Sequence, residues 1–96
     1  MMSGMITAIV HIDTDAALIP EVAQQVAELP EVSEVYSVTG EVDLIAVVRV
    51  REHEQLADVI ADRISKVEGV QHTQTYIAFR TYTRHDLDAA FALGVD

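Results

Sequence analysis

Cysteine and tryptophan are absent from this chain, and basic residues are scarce: six Lys and Arg stand against sixteen Asp and Glu, for a formal net charge of -10. Without Cys there is no disulfide framework, no thiol nucleophile and no thiolate metal site. His11, His53, His72 and His85 are scattered, without the H-x-H or H-x-x-x-H spacing that brings two imidazoles to one ion. No metal and no cofactor is therefore expected. The basic side chains are spread between Arg49 and Arg84, and affinity for nucleic acid is mostly phosphate neutralisation, so this chain by itself is not expected to bind DNA. No apolar run reaches the length of a membrane-spanning helix. The opening stretch MMSGMITAIVH has neither the basic region nor the cleavage site of a signal peptide. Together these absences point to the cytoplasm.

Apolar residues make up 50% of the 96 positions, enough for one globular domain over 1–96 with a modest core. Across 5–12, Ile6, Ala8, Val10 and Ile12 alternate with Thr7, Ile9 and His11, the period of a strand, and Asp13-Thr14-Asp15 breaks the pattern. A helix follows with Pro20 at its first position, where a missing N–H is no loss. Val22, Ala23, Val26 and Leu29 form its apolar face, and Pro30 stops it. Residues 35–50, VYSVTGEVDLIAVVRV, read as a strand, a tight turn at Thr39-Gly40 and a second, more apolar strand over 43–50. Thr39, Glu41 and Asp43 crowd that turn with hydrogen-bonding groups.

A second helix is expected over 54–67, burying Leu56, Val59, Ile60, Ile64 and Val67 and turning Asp58, Asp62, Arg63 and Lys66 to water. It shows no evident N-cap, and Gly69 closes it. Residues 70–82 read as a last long strand rich in Thr, Tyr and Phe. The tail, capped by Asp86 and closed by Gly94, reads as a short helix with Leu87, Ala90 and Phe91 on one side. A helix so short is not stable alone and must dock on something.

Sliding the sequence by 38 residues superposes its halves: Ala8 falls on Ala46, Val10 on Val48, Leu18 on Leu56, Ala23 on Ala61 and Val32 on Val70. Each half is strand–helix–strand. Two such units joined by a hairpin predict an α+β fold, a ferredoxin-like βαββαβ sandwich with a four-stranded antiparallel sheet, its first and third strands in the middle, and a short C-terminal helix. The even positions of the first strand should face the helices. Ile9, Ile45 and Val47 are then left on the opposite face, which a single helix layer cannot cover, so an obligate oligomer, most simply a homodimer with sheets face to face, is expected.

Three motifs in order, Pro30-Glu31-Val32, Thr39-Gly40-x-x-Asp43-Leu44 and Gly69-Val70-x-x-Thr73-x-Thr75, make the chain resemble the ligand-binding and oligomerisation (RAM) domain of the Lrp/AsnC, or feast/famine, transcription regulators. The resemblance runs over about residues 6–80. In that family a helix-turn-helix precedes the domain, whereas here the first strand begins at residue five, so the chain is similar to stand-alone members. The resemblance implies a dimer that assembles further into octamers or related rings, with amino-acid effectors held near the Thr39-Gly40 turn. It also implies full-length regulators of the family as possible protein partners. By position it implies that Gly40 and Asp43 meet the amino and carboxylate groups of the ligand, with Thr39, Glu41 and Leu44 beside them and Thr73 and Thr75 completing the pocket. Leu44 stands where the family often has an aromatic residue.

Each of these residues also has a plainer reading. Gly40 fits a turn that needs a positive φ. Asp43 can cap its own turn, as Asx residues do. Thr73 and Thr75 favour strands by propensity. Tyr36 and Tyr76 are amphipathic and suit interface packing. No Ser–His–acid arrangement is visible, and nothing argues for catalysis. The enzyme alternative, a dimeric α/β-barrel monooxygenase or isomerase, needs a polar group in an apolar cavity, whereas the core positions here are uniformly aliphatic. A further alternative is a ligand-free assembly partner of full-length regulators.

Overall fold

A computed structural model describes residues 5–84. Its elements are β1 (Ile6–Thr14), a short 3-10 turn (Ala16–Leu18), α1 (Ile19–Ala27), β2 (Val32–Ser37), β3 (Leu44–Val50), α2 (His53–Ala57), a π-helical continuation (Asp58–Ile64) and β4 (Val70–Ile77). The sheet is four-stranded and antiparallel in the order β2-β3-β1-β4, so the first and third strands are central, as the repeat predicts. Two helical elements cover one side of it, which is the ferredoxin-like α+β architecture expected.

The alternation in the central strands decides the faces. Ala8, Val10, Ile12, Leu44, Ala46, Val48 and Val50 are 0–3% exposed and pack with Val22, Val26, Leu56, Val59 and Ile64 from the helices. Each fully buried Val, Leu or Ile among them contributes about 1.5–3 kcal/mol relative to leaving it in water. The odd positions point the other way.

The internal repeat has a geometric consequence. An offset of 38 carries Ile9 onto Val47, and Ile9 and Val47 are paired directly across β1 and β3. The pseudo-twofold axis of the domain therefore passes through this pair. The edge strands depart from the symmetry. The Val35–Ala46 pairing would carry over to Thr73 opposite Ala8, yet Thr73 lies opposite Ile12, four residues further along β1. Four is an even number, so β4 keeps its faces while its entry moves to the far end of β1.

Several boundaries differ from the sequence reading. The connection between β2 and β3 is a six-residue loop over 38–43, not a tight turn at Thr39-Gly40; it is closed by Val38 N donating to Asp43 O at 3.2 Å. β1 runs through Asp13 to a buried Thr14, because β4 continues to pair with it there. Pro20 is the second residue of α1, and Asp15 caps the preceding turn by accepting from Ala17 N at 3.0 Å. The missing cap of the second helix is supplied by Gln55, whose Oε1 accepts from Arg51 N and Glu52 N at 2.9 and 3.0 Å. That helix widens to π, with Ser65 N donating to Ile60 O five residues back, and ends at Ile64 instead of Val67. Arg63, expected to face water, reaches across to Glu31 with Nη2 to Oε2 at 2.8 Å. The guanidinium holds the Glu31 carboxyl below the usual carboxylate range, so the pair supports the fold at neutral pH and is lost as pH falls through that lowered pKa. β4 stops at Ile77 and not near residue 82. The predicted tail helix lies outside the described residues.

Gly69 has φ +105°, and a Cβ built there would lie 2.8 Å from Val22 Cγ2 and 3.1 Å from Leu18 Cβ. Gly40, at φ +139°, has nothing within 4 Å of that position. Gly69→Ala should therefore combine backbone strain with overpacking and lose more than about 1 kcal/mol. Gly40→Ala should lose less, and chemical denaturation of the two variants reads the difference.

Candidate functional site

Three segments meet at the end of the sheet where β1 finishes: residues 13–15, the 38–43 loop and the entry to β4 at Gly69-Val70. Their contacts are backbone-based. Asp43 N donates to Ile12 O at 3.2 Å, and Asp15 N donates to Gly69 O at 2.8 Å. Thr14 N donates to Asp43 Oδ2 at 3.0 Å. Asp43 thus grips the last turn of β1 with both its main chain and its carboxylate. Its carboxylate anchors a neighbouring strand, while its carbonyl closes its own loop by accepting from Val38 N. Thr14, 5% exposed, is the partner that the sequence reading missed, because Asp13-Thr14-Asp15 looked like the end of the strand.

The predicted ligand residues divide into three groups. Thr39, Gly40 and Glu41 are exposed on the loop, and Asp43 is half-buried at its base. Among the described residues, the backbone N–H groups of 39–42 donate to no protein acceptor, so the loop presents open donors beside one carboxylate. Leu44 is different. It is fully buried, with its side chain in the core beneath the helices, so it does not line the loop surface as the resemblance implied. The cause is the period of two: Asp43 and Leu44 are adjacent, and one must face inward. Thr73 and Thr75 are half-buried on the helix side of β4, opposite Ile12 and Val10. The four-residue displacement of β4 brings Thr73 to the loop end of the sheet; Thr75 lies two residues further from it.

Electrostatically this end is negative. Asp13, Asp15, Glu41, Asp43 and Glu68 belong to its segments, and none of the Lys or Arg residues does. His72 lies beside them on β4, opposite Asp13. Such an arrangement favours a cationic group, with the open N–H groups left for an anionic one. Among the described residues no cluster of three or more His, Asp and Glu side chains is disposed to hold a metal ion.

The four predicted interface residues share the other face of the sheet. Ile9 lies between Val47 and Tyr76, and Ile45 lies between His11 and Tyr36. Ile9 is 37% exposed and Tyr36 and Tyr76 are each 49% exposed, large values for central-sheet and aromatic side chains. The rim is polar and partly fixed. The His11 and Tyr76 rings meet edge to face with centroids 5.0 Å apart, and the Tyr36 hydroxyl donates to Glu34. That bond holds the Tyr36 proton and raises its pKa above the ordinary phenol value. An apolar centre within an aromatic and polar rim is the composition of a subunit interface.

Comparison with known proteins places the chain. Residues 7–87 match the profile of the Lrp/AsnC ligand binding domain. The chain is 36% identical over 74 residues to an uncharacterised helix-turn-helix-type transcriptional regulator of Pyrococcus horikoshii, covering 76% of this chain and 49% of that one. It thus spans about half the length of the curated relatives it matches. A crystal structure from Thermus thermophilus superposes with a TM-score of 0.78 at 47% identity, covering 82% of this chain and 99% of the other. A feast or famine regulatory protein from Mycobacterium tuberculosis, solved in complex with L-methionine, superposes with a TM-score of 0.69 at 28% identity, covering 82% and 54% of the two chains. No described helix is long and apolar enough to cross a membrane.

Asp43→Ala should strand the buried Thr14 N–H and lower stability by about 1–3 kcal/mol. Asp43→Asn keeps an oxygen acceptor and should retain most of that stability. Denaturant midpoints of the two variants against the parent chain check this.

Proposed function

Since the chain belongs to the Lrp/AsnC ligand-binding domain family, we propose that it is an oligomeric sensor that binds an amino acid at the 38–43 loop. The observation that carries this reading is the pairing of open backbone donors at 39–42 with the Asp43 carboxylate in an acidic setting. An α-amino acid is a zwitterion, and the two halves of this site match its two charges. The N–H groups beside Gly40 receive the carboxylate, where the absence of a Cβ lets the ligand approach. Asp43 Oδ1, left over from the bond to Thr14, receives the ammonium, and Thr73 lies at the same end of the sheet. The methionine complex of the M. tuberculosis relative supports an amino-acid ligand.

The open sheet face supports assembly. Two copies placed with Ile9, Ile45, Val47 and Tyr76 against their counterparts remove this patch from water, and dimers then associate further, with the loops between them. The described residues contain no DNA-reading helix, and the net charge opposes phosphate. The reading includes a protein partner, for which full-length regulators of the same family are the natural candidates. The named relatives are transcriptional regulators, in keeping with a role that is not catalytic.

Thermal-shift screening against the twenty amino acids, with light scattering in parallel, tests the reading. A ligand at a hundredfold excess over its Kd adds about 2.7 kcal/mol, which moves the melting midpoint by several degrees. Asp43→Asn should keep the fold and the assembly yet bind at least about tenfold more weakly, since a hydrogen bond to a charged group contributes roughly 1.5–3 kcal/mol. No shift with any amino acid in an intact oligomer would leave the ligand-free assembly partner as the surviving reading.

A further inference from the structure

On the helix side, away from the loop, an open groove of about 310 Å³ runs between the second helix and the end of β4, lined by His53, Leu56, Ala57, Ile60, Ala61 and Ile77. The helical residues follow the spacing of one face, and Ile77 is 50% exposed at the groove's edge. His53 is the one ionisable side chain in the lining, so the groove suits apolar side chains and not a polar small molecule.

Beyond Ala78, whose N–H still donates to Thr7 O at 2.8 Å, the chain leaves the sheet as an arm with no helix or strand over 79–83, carrying Phe79 at 95% and Tyr82 at 73% exposure. The described residues end at Arg84, and twelve more follow, HDLDAAFALGVD. Leu87, Ala90 and Phe91 recur at the spacing of one helical face, ahead of Gly94. Most of this segment lies past residue 87, where the family profile ends. The shared fold therefore does not account for its apolar stripe.

We propose that the groove of one copy receives the C-terminal segment 85–96 of a second copy. The arm favours a neighbour's groove over the chain's own. Residues 78–85, AFRTYTRH, contain no Gly, Pro, Asn or Asp, the residues that most favour a reversal. Residues 78–83 form no turn or bend, and an arm of that length carries the chain roughly 20 Å from Ile77. The same reach suits a neighbour. In a face-to-face pair the sheets lie about 10 Å apart and a helix layer adds about 10 Å, so the partner's helix side is about 20 Å away. The inference rests on the assembly reading only in needing a second copy close by.

The absence of native Cys makes disulfide trapping clean. Two differently tagged full-length chains, one Ala61→Cys and one Ala90→Cys, are co-expressed and mildly oxidised, and the double variant in a single chain is treated alike at high dilution. A disulfide joining the two tags, abolished by adding Phe91→Asp to the tail-bearing chain, is the expected result. A link confined to the double variant migrating as a single chain would assign the groove to its own tail and overturn the exchange. No link in samples that light scattering shows to be oligomeric would overturn this inference alone, whereas no link in a monomeric sample would remove the assembly reading with it.

Discussion

The central strands of this domain are apolar on both faces, and the helices among the described residues cover only one. β1 and β3 place seven aliphatic side chains under the helices and leave Ile9, Ile45 and Val47 on the reverse. The arrangement follows from the pleat, because shifting either strand by one residue would exchange core and surface wholesale. The pseudo-dyad at Ile9–Val47 puts the most apolar part of the open face at the centre of symmetry of the fold. A second copy is the simplest cover for a surface of that shape.

The same two strands position the proposed ligand site. Asp43 lies one residue before β3 and bonds to the end of β1 through Thr14 N and Ile12 O. The chain of β1 then runs back from Thr14 to His11 and Ile9 on the open face. In the proposed arrangement, a ligand that draws on the Asp43 carboxylate would act on the strand whose reverse side would meet a neighbouring subunit, so binding and assembly would share an element. Reciprocal coupling follows wherever the two associated states hold that strand end differently.

Much of this was legible in the sequence. The 38-residue repeat announces the βαββαβ order, and the even–odd pattern of 6–12 assigns the faces. What escaped has specific causes. A Gly with two polar neighbours looks the same in a two-residue turn and in a six-residue loop, so the span over 38–43 was misjudged. The cap supplied by Gln55 is a backward reach to two backbone N–H groups, which leaves no Ser, Thr, Asp or Asn in the cap position to notice. Leu44 was grouped with Asp43 by family position, although alternation alone sends adjacent residues to opposite sides. The displacement of β4 by four residues is invisible to a method that sees only period two. The tail shows a clear apolar stripe in sequence, and it lies outside the described residues.

The central claim is that the face carrying Ile9 and Val47 is closed by another copy. Sedimentation equilibrium of the unmodified 10.6 kDa chain, over concentrations from below micromolar upward at about 0.15 M salt, where charge repulsion is largely screened, tests it directly. The account predicts masses at even multiples of the protomer, with no folded protomer at any concentration where the chain retains its circular dichroism. A stable, fully folded species at the protomer mass across that range would contradict it.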